Sequence, residues 1–127
     1  MKKFNQILLI DDDPIANYLN ETVLKKAGIA EVIKVAMNGV DALNYIKNEC
    51  KKENSYPDLI IVDINMPVMD GFEFVNRFRE LEIIGVEKPV IAILTTSTDL
   101  RDVKKANDLN ITILNKPITL KMLNNFF

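Results

Sequence analysis

The sequence predicts an α/β fold built on one parallel sheet with helices on both faces. Short, continuous apolar runs, mostly leucine or β-branched residues, are typical of strands buried on both faces of such a sheet. These runs alternate with stretches that carry apolar residues at helical spacing, and alternating βα units imply right-handed crossovers. The length of 127 residues and the 48% hydrophobic content fit a single globular domain.

The first strand is predicted at residues 7–10, and the helix after it has clear start and stop signals. Asp13 suits an N-cap and Pro14 suits the first helical position. Two lysines followed by Gly28 predict its end. The stripe that we expect to face the core consists of Ile15, Leu19, Val23 and Leu24.

The rest of the chain repeats this strand–helix order four times. Strands are predicted at residues 59–62 and 90–94, with weaker candidates at 32–35 and 111–114 that suit positions nearer an edge. The last helix is short, about two to three turns. The apolar stripes of these four helices are Val40, Leu43 and Ile46; Phe72, Val75, Phe78 and Leu81; Leu100, Val103, Ala106 and Leu109; and Ile118, Met122 and Leu123.

The composition excludes several classes of function. Without histidine there is no Ser-His-Asp or Cys-His nucleophile pair and no histidine zinc site. The net charge of −2 gives no general attraction to nucleic acid, and one cysteine cannot form an internal disulfide, which fits a reducing compartment. No apolar run is long enough for a signal peptide or a membrane span. We therefore expect a cytoplasmic protein with no DNA or membrane partner.

Polar side chains follow four of the five predicted strands. In an open parallel sheet, ligands bind outside the carboxyl ends of the strands, so these groups are expected to converge. In chain order they are Asp11-Asp12-Asp13, Asp63, Thr95-Thr96-Ser97 and Lys116-Pro117.

Several carboxylates in one crevice repel each other unless a cation neutralises them. Hard oxygen ligands suit Mg²⁺, and a nearby lysine suits a phosphate. Asp11, Asp12, Asp63 and Lys116 therefore indicate a pocket for magnesium and a phosphoryl group, whereas the scattered glycines exclude a glycine-rich nucleotide loop. The alternatives are a solvated turn at Asp11 and Asp12 and an exposed Lys116. Asp13 is expected to be only a helix cap.

These motifs resemble the receiver domain of two-component response regulators, the CheY-like family. The resemblance covers residues 1–127 and implies a flavodoxin-like (βα)5 fold with strand order 2-1-3-4-5. We expect either a stand-alone receiver that acts through protein–protein contacts or a phosphorelay intermediate, with a receiver excised from a larger protein as the alternative. The motifs that carry the resemblance are Leu9-Ile10-Asp11-Asp12-Asp13-Pro14, Val62-Asp63-Ile64-Asn65-Met66-Pro67-Val68-Met69-Asp70-Gly71, Leu94-Thr95-Thr96-Ser97 and Lys116-Pro117.

The resemblance implies an acidic site that accepts a phosphoryl group. Asp63 is the phosphoacceptor in this reading, and a histidine kinase or histidine phosphotransfer protein is the donor. Mg²⁺ is the implied cofactor. Its implied ligands are Asp12, Asp63 and the backbone carbonyl of Asn65, with Asp11 reaching the ion through water.

The resemblance also implies a switch. Lys116 neutralises the phosphoryl oxygens, and its peptide bond to Pro117 is expected to be cis. Thr95, with Thr96 as the alternative, is the hydroxyl that moves toward the new phosphoryl group. This movement is expected to reshape the surface of the fourth helix, fifth strand and fifth helix for an unknown downstream protein. The chain would then catalyse only its own phosphoryl transfer and autodephosphorylation.

One residue departs from the family pattern, and two other functions remain open. The family usually has Tyr or Phe three residues before the lysine, and this chain has Ile113. One alternative is therefore a receiver-fold binding module that does not switch. A more remote one is a Mg²⁺-dependent phosphohydrolase, although such an enzyme would usually have a second acid where this chain has Asn65.

Overall fold

Five parallel strands form one sheet in the order β2-β1-β3-β4-β5. The structure, a computed structural model, describes residues 3–83, 88–96 and 99–127. The order confirms the predicted fold class, and both weaker strand candidates are edge strands. The strands are β1 (Phe4–Ile10), β2 (Ala30–Ala36), β3 (Leu59–Asp63), β4 (Val90–Thr95) and β5 (Thr112–Asn115).

Helices lie between the strands, as the alternation predicts. The second helix changes type along its length. Its α-helical first part is followed by a π-helical segment at Tyr45–Cys50 and by a last α-helical turn at Lys51–Glu53. Apolar spacing does not distinguish such a segment from an ordinary α-helix. The helices are α1 (Pro14–Ala27), α2 (beginning at Gly39–Asn44), α3 (Gly71–Arg79), α4 (Leu100–Asp108) and α5 (Leu120–Phe126).

Both ends of α1 follow the predicted signals. Asp13 Oδ1 accepts a hydrogen bond from the Ile15 amide at 2.9 Å, so Asp13 is the N-cap. Gly28 has φ 65°, in the left-handed region that glycine adopts without steric cost. Its amide donates to the carbonyls of Leu24 and Lys25, which ends the helix.

The predicted core stripe of α1 is wrong for two of its four residues. Ile15 is 69% exposed and Leu19 is 52% exposed, whereas Leu24 is buried. The buried side chains in the first half of α1 are instead Asn17 and Asn20. This part of the helix lies beside the polar carboxyl edge of the sheet, where amide groups find hydrogen-bond partners.

The stripes of α2 and α4 are also less buried than predicted. Val40 is 45% exposed, and Leu100 is 80% exposed, followed by Val103 at 36%. Within α4, whose residues are all described, only Ala106 is buried. This helix packs beside β5, an edge strand of four residues, which offers little surface to cover a whole stripe.

Alternate residues of the central strands point to opposite faces of the sheet and build two apolar clusters. Leu8 and Ile10 belong to the cluster that contains residues of α2 and α3, while Ile7 and Leu9 belong to the cluster that contains residues of α1 and α5. Among the described residues, no helix is long and apolar enough to cross a membrane.

Candidate functional site

The polar residues of the predicted pocket lie at the carboxyl ends of neighbouring strands. Asp11 and Asp12 follow β1, Asp63 ends β3, Thr95 ends β4 and Lys116 follows β5. Since β1 pairs with β3 and β3 pairs with β4, all in parallel, these ends meet at one edge of the sheet. The arrangement is the one that strand-end reasoning predicts.

Lys116 lies between two buried carboxylates. Its Nζ is 2.9 Å from Asp11 Oδ2 and 3.0 Å from Asp63 Oδ1. The Asp11 side chain is 1% exposed, that of Asp63 is 7% exposed and that of Lys116 is 22% exposed. The ammonium group therefore compensates two charges that could not be buried alone without a large cost.

Three carboxylates form a cluster at the same place. One oxygen each of Asp11, Asp12 and Asp63 lies within 4.8 Å of the other two. Asp12 is exposed, so the cluster opens to solvent on one side. Asp11 is held more firmly, because its Oδ1 accepts a hydrogen bond from the Asp13 amide at 3.0 Å and its own amide donates to the Ala36 carbonyl.

Burial and charge repulsion shift the pKa of the central acid. Burial raises the pKa of the Asp63 carboxyl, and the carboxylates of Asp11 and Asp12 raise it further, while Lys116 offsets part of the effect. For Lys116, burial would lower the pKa, but the contacts with Asp11 and Asp63 outweigh it and raise the pKa. Lys116 is therefore positively charged at neutral pH.

The donor set of the cluster fits a hard divalent cation. It offers carboxylate oxygens on a solvent-open edge, the ligands that Mg²⁺ prefers while it keeps several waters. Asn65, whose backbone carbonyl the resemblance implies as a further ligand, is an exposed residue in the loop that follows β3. The structure thus contains an acidic cluster of Asp11, Asp12 and Asp63 that could hold a metal ion.

The loop after Asp63 is shaped by Gly71, the first residue of α3. A Cβ at this position would lie 2.5 Å from the carbonyl oxygen of Asp63, so only glycine lets the helix approach the strand end so closely. The Gly71 amide donates to the Ile64 carbonyl at 2.9 Å, and Asp70 caps the helix through the Glu73 amide. The Asp-Gly pair therefore fixes the main chain around Asp63.

Thr95 and Thr96 differ in their surroundings. Thr95 is 2% exposed, and its carbonyl accepts a hydrogen bond from the Lys116 amide at 3.0 Å. Thr96 is exposed, and Ser97 lies outside the described residues. The Lys116–Pro117 peptide bond is cis, as the resemblance implies. Of the two threonines, Thr95 is the one tied to the segment that carries Lys116.

Two buried asparagines of α1 also belong to the surroundings of the site, and the pattern of apolar residues misses them. Asn17 donates from Nδ2 to the Asp11 carbonyl at 2.8 Å. Asn20 accepts through Oδ1 from the Ile118 amide at 3.3 Å. A signal was present in the sequence, since two amides three residues apart lie on one face of a helix.

Two known proteins that are similar to this chain along most of its length are both named histidine kinases. The hybrid signal transduction histidine kinase B of Dictyostelium discoideum is 35% identical over 127 residues, which cover 92% of this chain and 6% of that protein. The sensor histidine kinase RcsC of Escherichia coli is 32% identical over 117 residues, which cover 92% of this chain and 11% of the relative. The chain therefore spans only a small part of these two proteins.

A solved structure and a family model agree with this similarity. The crystal structure of a two-component response regulator from Cytophaga hutchinsonii has a TM-score of 0.87 and 34% sequence identity, over 98% of this chain and 94% of that one. Residues 7–126 match the model of the response regulator receiver domain. The chain therefore belongs to the response regulator receiver domain family and is a receiver domain of two-component signalling.

Proposed function

We propose that this receiver domain accepts a phosphoryl group on Asp63 and acts as a phosphorylation-dependent switch. The observation that carries the proposal is the position of Lys116, whose Nζ is 3.0 Å from Asp63 Oδ1 inside a largely buried site. A carboxylate nucleophile beside a fixed cation suits phosphoryl transfer, which depends on positioning and charge neutralisation.

The donor is a phosphorylated histidine on another protein. This chain has no histidine, and two of its relatives are named histidine kinases. A carboxylate oxygen of Asp63 attacks the phosphorus, and a P–O bond forms while the donor's P–N bond breaks. The electron pair of the broken bond stays on the imidazole nitrogen, and a proton from solvent completes the neutral ring. The product is an acyl phosphate on Asp63.

The residues of the site have distinct roles in this transfer. Lys116 neutralises a phosphoryl oxygen from the protein side of the pocket. A Mg²⁺ ion, when bound, supplies further neutralisation of the phosphoryl oxygens. Asp12, Asp63 and the backbone carbonyl of Asn65 would hold it, with Asp11 reaching it through water. The fit rests on the acidic cluster and its solvent-open side.

The new phosphoryl group would be read through Thr95. Phosphorylation adds roughly −1.5 to −2 charges and strong acceptor oxygens, so a nearby hydroxyl gains a partner. Thr95 ends β4, and α4 begins five positions later at Leu100. A movement of Thr95 would be passed to α4 and to the surface that it shares with β5 and α5, as the resemblance implies. A downstream protein would bind this surface in one of its two states.

The exposed apolar face of α1 is suited to contact the donor protein. Ile15, Tyr18 and Leu19 are 69%, 68% and 52% exposed, and α1 begins beside the acidic cluster. An exposed apolar patch of this kind marks a contact surface. Tyr18→Ser should slow transfer from a phosphohistidine protein and leave transfer from acetyl phosphate unchanged. Val90→Ser, an exposed apolar position at the opposite edge of the sheet, is the matched control.

Acetyl phosphate provides the first test of the proposal. The wild-type chain, incubated with acetyl phosphate and Mg²⁺, should gain the mass of one phosphoryl group, and the gain should be absent with a chelator. Asp63→Asn should show no gain. An equal mass gain on wild type and on Asp63→Asn would contradict the proposal.

Ile113 favours a second candidate, a receiver-fold binding module that does not switch. Its side chain is half-buried and packs against one core cluster, and it has no ring that could turn inward. The two candidates differ in how the domain responds to phosphorylation. A switch predicts amide shift changes across α4, β5 and α5 in nuclear magnetic resonance spectra, whereas a static module predicts changes only next to Asp63.

A further inference from the structure

Helix α1 turns two amide side chains toward the interior where apolar residues would be expected. Asn17 is 4% exposed and Asn20 is 3% exposed, whereas Ile15 and Leu19 on the same helix face solvent. Burial of an amide costs free energy unless it is hydrogen-bonded. The contacts of the two asparagines therefore indicate why they are inside.

Asn17 holds the segment that carries the acidic pair. Its Nδ2 donates to the main-chain carbonyl of Asp11 at 2.8 Å, and this bond is buried. The Asp11 amide donates to the Ala36 carbonyl, and Asp11 Oδ1 accepts from the Asp13 amide. The main chain between β1 and α1 is thus fixed on both sides of Asp11, directly before Asp12.

Asn20 holds the segment that carries the lysine. Its Oδ1 accepts from the main-chain amide of Ile118 at 3.3 Å, two residues after Lys116. On the other side, the amide of Lys116 donates to the carbonyl of Thr95 at 3.0 Å. Ile118 is itself buried, so this loop is anchored before and after the lysine.

We propose that Asn17 and Asn20 are positioning residues, Asn17 for the acidic pair and Asn20 for Lys116. One rigid helix then sets the distance between the two charged parts of the site. Both side chains bond to main-chain groups, so both act on the site through the main chain. This inference rests on the proposed function, because it assigns the two asparagines to the same phosphoryl-transfer site.

The two roles predict separate effects. Loss of the Asn17 contact should weaken cation binding, since residues that orient metal ligands typically change affinity by about 10–100-fold. Loss of the Asn20 contact should displace Lys116 and slow transfer, while the carboxylates stay in place. A displacement of about 1 Å can cost as much as 100-fold in rate.

Leucine is a suitable replacement at both positions because it is branched at the same carbon and keeps the packing. At position 17 the substitution removes Nδ2, which donates to the Asp11 carbonyl and to Met37 Sδ. It also removes Oδ1, a buried oxygen that has no hydrogen-bond partner among the described residues. The loss of stability should therefore be limited. Asn17→Leu and Asn20→Leu form a matched pair on one face of one helix.

The experiment measures two quantities for each variant, the Mg²⁺ dissociation constant by calorimetry and the rate constant of phosphorylation by acetyl phosphate at saturating Mg²⁺. Asn17→Leu should raise the dissociation constant about tenfold and change the rate constant less than about twofold. Asn20→Leu should lower the rate constant about tenfold and leave the dissociation constant within about twofold.

The inference would be overturned if both variants changed both quantities equally, or if neither variant changed either quantity more than twofold. In that case a wild type that binds Mg²⁺ and gains phosphate still supports the proposed function. A wild type that neither binds Mg²⁺ nor gains phosphate would overturn both. If the leucine variants do not fold, Asn17→Asp and Asn20→Asp replace them. Aspartate keeps the acceptor at position 20 and loses the donor at position 17, so only Asn17→Asp should depart from wild type.

Discussion

Gly71 lies directly against the main chain of Asp63, and a Cβ at position 71 would come within 2.5 Å of the Asp63 carbonyl oxygen and 3.0 Å of the Ile64 Cα. The first turn of α3 and the end of β3 thus share a space that only glycine can occupy. This contact fixes the main chain of the residue that is proposed to accept the phosphoryl group.

Gly71→Ala should destabilise the domain by about 1–3 kcal/mol, because the atoms that it meets are main-chain atoms that cannot move aside. Gly39→Ala is the matched control, since both glycines are buried first residues of helices. There the added Cβ would meet Met69 Sδ, the far part of a flexible side chain. Urea unfolding measures both, and an equal loss for the two variants would contradict this reading.

Asp63→Asn should stabilise the chain when divalent cations are removed with a chelator. Burial and the neighbouring carboxylates raise the pKa of Asp63, so its ionised form opposes folding at neutral pH. The melting temperature of the variant should exceed that of wild type by roughly 2–5 °C. A lower melting temperature would show that the ion pair with Lys116 outweighs burial and repulsion.

Asp12→Ala should weaken Mg²⁺ binding far more than Asp13→Ala. Asp12 belongs to the carboxylate cluster, whereas the Asp13 side chain caps α1 by accepting from the Ile15 amide. Asp13→Ala should instead lower helix stability by about 1 kcal/mol. Calorimetric titration with Mg²⁺ and urea unfolding of both variants separate the two roles. Equal losses of affinity would contradict them.

Tyr45 should make stability fall at alkaline pH. Burial and the nearby Cys50 raise its pKa from 10.0 to about 12, while the hydrogen bond from Gln6 Nε2 partly opposes the shift. A raised pKa favours the protonated phenol in the folded chain, so this contribution is present below pH 10 and is lost between pH 10 and 12.

The measurement for Tyr45 compares the free energy of unfolding of wild type and Tyr45→Phe across this range. Wild type should lose stability relative to the variant as the pH rises. Parallel pH profiles would show that the phenol titrates normally, and the absorbance of the tyrosinate checks its pKa directly.

Much of the site is predictable because strand ends are predictable. Apolar runs locate β1 and β3, and the acids directly after them must meet at one edge of a parallel sheet. The inner face of α1 is not predictable in this way. Asn17 and Asn20 are buried because main-chain groups of the adjoining loops need partners, and apolar periodicity contains no information about those loops.

The sequence pattern also does not predict two features of the backbone. Over the few residues of the π-helical segment at Tyr45–Cys50, the spacing of apolar residues is that of an ordinary amphipathic helix. Val68 has φ 70°, a conformation that β-branched residues rarely adopt, and the Met69 amide donates to the Pro67 carbonyl across it. The surrounding loop imposes this turn, whereas local preference alone would not give it.

The central claim is that Asp63 accepts the phosphoryl group, and the position of the acyl phosphate tests it most directly. Wild-type chain is phosphorylated with acetyl phosphate and Mg²⁺ and reduced with borohydride, which converts a phosphorylated aspartate to homoserine. Peptide mass spectrometry then locates the converted residue. We predict homoserine at position 63. Homoserine at position 11 or 12, or unconverted aspartate throughout a phosphorylated chain, would contradict the claim.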